Sequence, residues 1–259
     1  MKRLLRRIIY EGVYAWACIG GSVAFNRGFA PVDPGRTIDA AFSNDLSQIQ
    51  LYAELVRLLP NSDREFQDLS LLDAPAGCGG GLRHLKNRYP ALNATGVDTS
   101  LVARLRSKWL GVRVVKGEMA RLPFADKQFD CVLCVEGLFY DPPAAFLREG
   151  HRVLKEGGYL LVAEAFRKDR DVHAYFSQLG TQTGFEIETI VDATAGVRQA
   201  LHDRYAHFRE SFLLRIPFVR ERFKEMLCLP DSEQFLKWQT GKLVYQLVML
   251  RRRTGDVRA

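Results

Sequence analysis

Histidine and cysteine are scarce in this chain of 259 residues, which contains five of each. An odd number of irregularly spaced cysteines argues against a disulfide framework. Cys131 and Cys134 form a C-x-x-C pair inside the apolar run 129–135, which is typical of a buried strand. Since there is no second such pair and no histidine cluster, we expect no metal site and a reducing, cytoplasmic location.

The chain also lacks an uninterrupted apolar run long enough to span a membrane. Basic residues at 2–7 precede an apolar stretch at 8–25, as they would in a secretion signal. The apolar residues nevertheless recur on one helical face, which favours an amphipathic helix over a cleaved leader. We expect this helix to pack on its own protein, with a peripheral membrane contact as the alternative.

The charge balance is moderately basic, with 37 Lys and Arg against 30 Asp and Glu and a formal net charge of +7. Such a protein can meet nucleic acid, an anionic membrane or an acidic ligand, and charge alone does not choose among them. Because 47% of the residues are hydrophobic, the chain can bury a large core, so we expect one main domain with an appended cap.

Short apolar runs alternate with helical segments from residue 69 onward. The predicted strands are 69–72, 94–98, 112–115, 129–135, 159–164, 185–191 and 243–250. Strands and helices that alternate at this spacing predict an α/β fold with a parallel sheet and helices on both faces. The last strand is expected to run antiparallel at the edge of the sheet.

A glycine-rich segment, Leu-Asp-Ala-Pro-Ala-Gly-Cys-Gly-Gly-Gly, occupies residues 72–81, between the first of these strands and a helix. Small residues there let the backbone approach a ligand at the carboxyl ends of the strands. Asp98 ends the second strand, where a carboxylate can accept both hydroxyls of a ribose. The two features together indicate a nucleotide-like ligand, although the spacing is not that of G-x-G-x-x-G.

The order of these motifs resembles that of the class I S-adenosylmethionine-dependent methyltransferases. Their loop has an acid followed by glycines at alternate positions, matched here by Asp73, Gly77 and Gly79. Pro75 departs from the pattern, and one backbone donor is lost because proline has no N–H. Further matches, in the order of the family, are the ribose strand at 96–98, the adenine turn at 116–119, the segments 122–124 and 129–130, and the turn at 152–158.

The resemblance covers about residues 45–250 and is strongest to the subgroup that acts on small or lipidic molecules. That subgroup includes phthiotriol-type, quinone, sterol, tocopherol and natural-product O-methyltransferases. It implies a Rossmann-like, seven-stranded mixed sheet with six parallel strands, a last antiparallel strand and an N-terminal helical lid. We divide the chain into a lid or cap at 1–60 and a cofactor-binding domain at 61–259, with a helical insertion at about 197–235.

The resemblance also implies that S-adenosylmethionine is the cofactor and which residues hold it. Gly77 and Gly79 approach its amino acid moiety, Asp98 holds the ribose, and Glu118 accepts a hydrogen bond from the adenine. The complete set of implied cofactor contacts is Asp73, Ala74, Pro75, Ala76, Gly77, Cys78, Gly79, Asp98, Thr99, Glu118, Met119, Val135 and Glu136.

The residues that bind and activate the methyl acceptor have no such motif. Natural-product relatives often carry a histidine shortly after the fourth strand, and residues 136–141 contain none. His202 is the candidate base, and Tyr140 is a candidate catalytic or substrate contact. The resemblance places Phe29, Gln48 and Tyr52 beside Tyr140 in the lid and substrate region. The aromatic residues expected to line an apolar pocket are Phe25, Phe29, Tyr205, Phe208, Phe212 and Phe218.

A small lipophilic substrate, and no nucleic acid, is the partner that this pattern favours. The segment 141–144 does not match a base-methylating motif in full, because Ala144 stands where an aromatic residue must stack. We expect methylation of a hydroxyl of a polyketide-like or aromatic metabolite. The alternatives are C-methylation of a quinone precursor, N-methylation of a lipid amine, and a protein that binds the cofactor without transferring its methyl group.

Overall fold

The computed structural model describes most of the chain from residue 46 to residue 254. The residues that it describes are 11–12, 14–15, 24–30, 46–60, 66, 68–208, 220–221, 224–225 and 228–254, without the side chains of 204–208. The basic N-terminal residues 2–7, Phe212 and Phe218 therefore lie outside the described residues, as do the side chains of Tyr205 and Phe208.

Helices and strands alternate along the described part of the chain. In order, they are α1 (Leu46–Val56), β1 (Ser70–Asp73), α2 (Gly80–Arg88), β2 (Asn93–Asp98), α3 (Leu101–Trp109), β3 (Val114–Lys116), β4 (Phe129–Val135), α4 (Pro143–Val153), β5 (Leu154–Arg167), α5 (Val172–Thr183), β6 (Phe185–Asp192), α6 (Thr194–Phe208), α7 (Glu233–Gln239) and β7 (Leu243–Arg252).

The seven strands form one sheet in the order β3-β2-β1-β4-β5-β7-β6. Strands β1 to β5 pair in parallel, whereas β7 runs antiparallel to both β5 and β6. The predicted mixed sheet is thus confirmed, except that β7 lies inside the sheet and β6 is at its edge. The strand order reverses between β1 and β4, and a ligand crevice forms at such a reversal at the carboxyl ends of the strands.

Two elements differ from the expectation drawn from the sequence. Strand β5 spans 154–167 rather than 159–164, because its second half pairs residue by residue with β7. Helix α5 was not predicted, although both of its ends carry ordinary signals. The Asp171 side chain accepts a hydrogen bond from the Ala174 N–H, and Gly184 ends the helix with a φ of 81°.

The core lies on both faces of the sheet. One face buries side chains of α1 and α2 against the strands, among them Leu51, Leu55 and Leu82. The other face buries Phe146 of α4 and Phe176 of α5. None of the described helices is long and apolar enough to cross a membrane.

Two glycines inside helices provide a test of how closely α5 approaches β6. A Cβ at Gly180 would lie 2.5 Å from the Phe185 carbonyl oxygen, whereas a Cβ at Gly150 of α4 would meet nothing closer than 3.8 Å. We expect Gly180→Ala to lower the free energy of unfolding by about 1–3 kcal/mol through overpacking. Gly150→Ala should be neutral or stabilising by up to about 1 kcal/mol, since alanine favours helix.

Urea denaturation of both variants measures the two free energies against the unmodified chain. Equal effects of the two substitutions would contradict the close packing of α5 on β6.

Candidate functional site

The loop after β1 begins at Asp73, whose side chain is fully buried. The Tyr52 hydroxyl donates a hydrogen bond of 3.1 Å to Asp73 Oδ2. Asp73 Oδ1 has no hydrogen-bond partner among the described residues. Burial raises the pKa of this carboxyl well above its usual range, against the opposing effect of the Tyr52 hydrogen bond. An acceptor atom in such surroundings suits a cationic donor such as an ammonium group.

Asp98, at the end of β2, ties two loops together. Its Oδ2 accepts a hydrogen bond of 2.9 Å from the Gly77 N–H, and its Oδ1 accepts one of 2.8 Å from the Ser100 N–H. Burial raises its pKa, and both backbone hydrogen bonds oppose that shift. Each carboxylate oxygen has a further lone pair, so two hydroxyls of a ribose can still donate to it.

Glycines keep the backbone of this loop accessible. Gly79 begins α2 at a φ of 80°, and a Cβ there would lie 2.6 Å from Val112 Cγ2. Pro75 packs on Gly137 so closely that a Cβ at Gly137 would lie 2.1 Å from Pro75 Cδ. The proline that departs from the family pattern therefore joins the loop after β1 to the loop after β4.

The remaining predicted cofactor residues surround the same crevice at the ends of β1 to β4. Met119 and Val135 are buried, whereas Thr99 and Glu118 are exposed. Ala74, Ala76 and Cys78 form the buried part of the loop. The donor set fits S-adenosylmethionine, because Asp73 suits its ammonium group, Asp98 its ribose and Met119 its adenine ring. Among the described residues, no group of three His, Cys, Asp or Glu side chains could hold a metal ion.

Glu11 is a contact that the sequence did not reveal. Its carboxylate accepts hydrogen bonds from the Ser100 hydroxyl at 2.8 Å and from the N–H groups of Leu101 at 2.7 Å and Val102 at 3.0 Å. A carboxylate at the first turn of a helix is stabilised by the free N–H groups and the helix dipole. Glu11 thus lies directly beside the loop that Asp98 holds.

A second polar cluster lies at the end of β4, around Glu136. Its Oε1 accepts hydrogen bonds from the Arg27 backbone N–H at 2.6 Å and the Tyr245 hydroxyl at 3.0 Å. Its Oε2 accepts one of 2.7 Å from the Arg27 guanidinium, which also lies over the Trp238 ring. Burial and the neighbouring Glu136 raise the pKa of the Tyr245 hydroxyl, which therefore stays protonated and donates.

Glu164 belongs to the same cluster and is buried near the end of β5. It follows Ala163, the strand partner of Val135, so it lies at the level where β4 ends. Its carboxylate accepts hydrogen bonds from the backbone N–H groups of Ala165 and Leu138. Burial and then Glu136 raise its pKa to about 7, while Arg27 opposes the shift. Glu164 can therefore take up or release a proton near neutral pH.

The structure distributes the predicted acceptor-side residues over three places. Phe29 packs on Gly196 of α6, where a Cβ would lie 2.2 Å from its ring. Gln48 is buried in α1, and Tyr52 is buried with its hydroxyl bound to Asp73 of the cofactor loop. Tyr140 is half-buried and packs against the core on the α4 and α5 face.

His202, the predicted base, lies on the solvent side of α6. Its side chain is 74% exposed, and its Nδ1 is 3.8 Å from the Asp203 carboxylate. Val197, Ala200 and Leu201 occupy the buried side of the same helix. The structure therefore does not bring His202 to the cluster around Glu136, and a catalytic role for it stays a prediction.

Sequence reasoning missed Arg27, Glu164, Trp238 and Tyr245 as parts of the site. Arg27 stands in a predicted lid segment, but its partner is 109 residues away in the chain. The sequence contained one signal for this cluster, namely Glu164 in the apolar run that forms β5. A charged residue in a buried strand needs polar partners from elsewhere in the chain.

Comparison with known proteins places residues 72–162 in the family described as "Methyltransferase domain". The chain is 33% identical over 150 residues to the fatty-acid O-methyltransferase of Mycolicibacterium smegmatis, covering 55% of this chain and 53% of that protein. It is 34% identical over 105 residues to phthiotriol/phenolphthiotriol dimycocerosates methyltransferase 1 of Mycobacterium ulcerans, covering 39% of each. The matches thus span about half or less of these relatives.

Solved structures resemble the chain over most of its length. The [4+2]-cyclase SpnF has a TM-score of 0.71 and 19% identity and covers 95% of both chains. Geranyl diphosphate methyltransferase in complex with SAM has a TM-score of 0.64 and 17% identity, covering 89% of this chain and all of that chain (100%). At these identities the likeness shows the fold, which agrees with the sheet described above.

Asp98→Ala should weaken the binding of S-adenosylmethionine by roughly tenfold to a hundredfold. The variant removes an ionised acceptor, and hydrogen bonds to charged groups contribute about 1.5–3 kcal/mol. Isothermal titration calorimetry measures the affinity, and circular dichroism checks that the variant is folded. Asp203→Ala, which removes an exposed carboxylate of α6, is the matched control and should bind normally. Unchanged affinity in Asp98→Ala would contradict the ribose assignment.

Proposed function

Since residues 72–162 form a class I S-adenosylmethionine-dependent methyltransferase domain, as the sequence predicted, we propose that the chain methylates a hydroxyl of a small lipophilic molecule. The predicted cofactor, S-adenosylmethionine, is confirmed with the domain. The acceptor is a polyketide-like or aromatic metabolite or a lipid of similar character. The chemistry that the cofactor supplies is an electrophilic methyl group on a sulfonium.

One juxtaposition carries this proposal, namely that of the cofactor loop and the carboxylate cluster at the ends of β4 and β5. Pro75 of the cofactor loop touches Gly137, which directly follows Glu136. This proximity supports an acceptor site over β4, between the cofactor loop and Glu164. Holding the two reactants in line can supply roughly 7–11 kcal/mol of the barrier.

Within this arrangement Glu164 is the group that receives the proton of the acceptor hydroxyl. The acceptor oxygen would attack the methyl carbon, whose bond to the sulfonium sulfur breaks and leaves a neutral thioether. The O–H bond breaks in the same transfer, and the carboxylate of Glu164 takes the proton. A group whose pKa of about 7 matches the working pH is suited to this transfer. Arg27 and Tyr245 occupy the oxygens of the neighbouring Glu136, so Glu164 is the carboxylate of the pair with fewer side-chain partners.

The lipophilic character of the acceptor rests on two supports. Aromatic and apolar side chains lie around the polar cluster, with Trp238 beneath Arg27 and Phe29 against α6. Apolar walls with a few convergent polar groups are typical of small-molecule sites. The names of the relatives, fatty-acid and phthiotriol methyltransferases, also point to lipid-like acceptors.

The other activities expected from the sequence are distinguished by the atom that receives the methyl group. We expect a chain incubated with methyl-labelled S-adenosylmethionine and panels of phenols, hydroxylated lipids, quinone precursors and lipid amines to yield a labelled methyl ether. Mass spectrometry and cleavage of the ether locate the label, and Asp98→Ala, which should bind the cofactor weakly, is the control that should give less labelled product.

Label on a carbon atom would instead support C-methylation of a quinone precursor, and label on a nitrogen atom would support N-methylation of a lipid amine. Cofactor binding without any labelled product would favour a protein of this fold that does not transfer methyl groups. Labelled RNA would overturn the small-molecule assignment.

The role of Glu164 predicts a pH dependence of turnover. Because its pKa is raised from 4.5 to about 7, the proton-accepting carboxylate predominates only above neutrality. The rate of methylation of a hydroxyl acceptor should rise with pH through about 7 and then level off. Glu164→Gln should slow turnover by roughly 10²–10⁴-fold and remove this inflection.

Rates measured from pH 5.5 to 9 at saturating cofactor, as about ten points, give the profile and its apparent pKa. Glu156→Gln, at an exposed carboxylate of β5, is the matched control and should leave it unchanged. A Glu164→Gln enzyme that is slower but keeps the inflection would assign Glu164 a structural role instead.

A further inference from the structure

Helix α3 carries a row of large apolar side chains on its outer surface. Leu101, Leu105 and Trp109 are 51%, 56% and 79% exposed. Their spacing of four residues places them on one face of the helix, which we call the α3 ridge. The other large apolar residues that the described part of the chain exposes are far apart in the sequence, with Phe139 in the loop after β4, Val191 in β6 and Leu236 in α7.

The chain around the ridge is strongly basic. The segment 80–117, which runs from α2 through β3, contains eight Lys and Arg residues and one acid. That acid is Asp98, which is buried in the cofactor site. The eight basic residues are Arg83, Lys86, Arg88, Arg104, Arg106, Lys108, Arg113 and Lys116. The formal charge of this segment, 8 − 1 = +7, equals that of the whole chain of 259 residues.

Two of these basic residues, Arg106 and Lys108, lie next to Trp109 of the ridge. The Arg106 guanidinium lies 4.9 Å from the centre of the Trp109 ring. Lys108 precedes Trp109 in the helix, and both side chains are exposed. An exposed tryptophan with flanking basic residues suits a membrane interface, where the ring enters the headgroup region and the cations meet phosphates.

We propose that the α3 ridge docks the protein on the surface of an anionic lipid bilayer. The apolar side chains enter the interface, and the surrounding Lys and Arg residues bind the anionic headgroups. Charge complementarity favours an anionic bilayer as the partner, because an uncharged apolar partner would supply no negative charge to the basic residues. The contact does not depend on which acceptor the enzyme methylates, so it stands apart from the proposed function.

The first residue of the ridge, Leu101, lies directly beside the cofactor site. Leu101 follows Ser100, whose N–H binds Asp98, and the Leu101 N–H binds Glu11. A bilayer in contact with α3 would therefore lie next to the side of the site that contains Asp98. This differs from the peripheral contact expected for the basic residues 2–7, which lie outside the described residues.

Sedimentation of the full chain with vesicles tests the proposal. We expect binding to vesicles of phosphatidylcholine and phosphatidylglycerol, and at least about tenfold weaker binding to phosphatidylcholine alone. A combined Leu101→Gln, Leu105→Gln and Trp109→Gln variant should lose at least about tenfold in affinity for the anionic vesicles. Leu236→Gln, at a side chain 54% exposed on α7, is the matched control and should bind normally.

Charge-reversal variants provide a second test of the proposal. Lys108→Glu with Arg113→Glu should weaken binding to anionic vesicles more than Lys168→Glu with Arg253→Glu, since all four residues are exposed but only the first pair belongs to the basic segment 80–117. Added salt should weaken the binding of the unmodified chain.

Three outcomes would overturn the proposal. The first is the absence of binding to anionic vesicles, and the second is unchanged binding by the ridge variant, which would assign the contact to another segment. The third is a dimer of the full chain in analytical ultracentrifugation that the ridge variant abolishes, because a second copy would then be the partner of the ridge. Cofactor affinity measured on each variant shows whether the fold is intact.

Discussion

The carboxylate of Asp98 holds together the segments from which the candidate site is built. It binds the Gly77 N–H of the loop after β1 and the Ser100 N–H of the loop after β2. Ser100 in turn donates to Glu11, so Glu11 is attached through the same point. Since a buried carboxylate is stable only when hydrogen bonds compensate its lost hydration, the loops and Asp98 depend on one another. The crevice keeps its shape because all of these contacts converge.

The proposed acceptor side depends on a different balance, in which the buried carboxylate of Glu164 and the partly buried carboxylate of Glu136 share one nearby cation. Arg27 pairs with Glu136, and the pair leaves Glu164 without a charge of opposite sign of its own. Burial of a second negative charge beside the first is unfavourable, so Glu164 retains its proton up to about neutral pH. The same arrangement that makes this carboxyl costly to ionise makes it suitable for proton transfer. The proposal that a hydroxyl is methylated rests on this pairing, whereas the cofactor loop alone would serve any class of acceptor.

Most of the sheet could be predicted from the sequence, because each strand is a short apolar run bounded by turn residues. Strands β1 to β4, β6 and β7 lie within two residues of the predicted positions. The length of β5 and the position of β7 inside the sheet could not be read from local patterns, since they depend on pairing between strands far apart in the chain. Helix α5 shows the opposite case, in which local signals existed at Asp171 and Gly184 but were not used.

The sequence by itself determined the cofactor half of the site. Asp73, Gly77, Gly79 and Asp98 follow strands directly, and parallel strands bring their carboxyl ends to one edge of the sheet. Only the tertiary structure decided the acceptor half, where Glu136 meets a residue 109 positions away in the chain. It also decided that the α3 ridge faces outward and that His202 faces solvent. The physical reason is that backbone loops are encoded locally, whereas side-chain charge clusters arise from packing between distant elements.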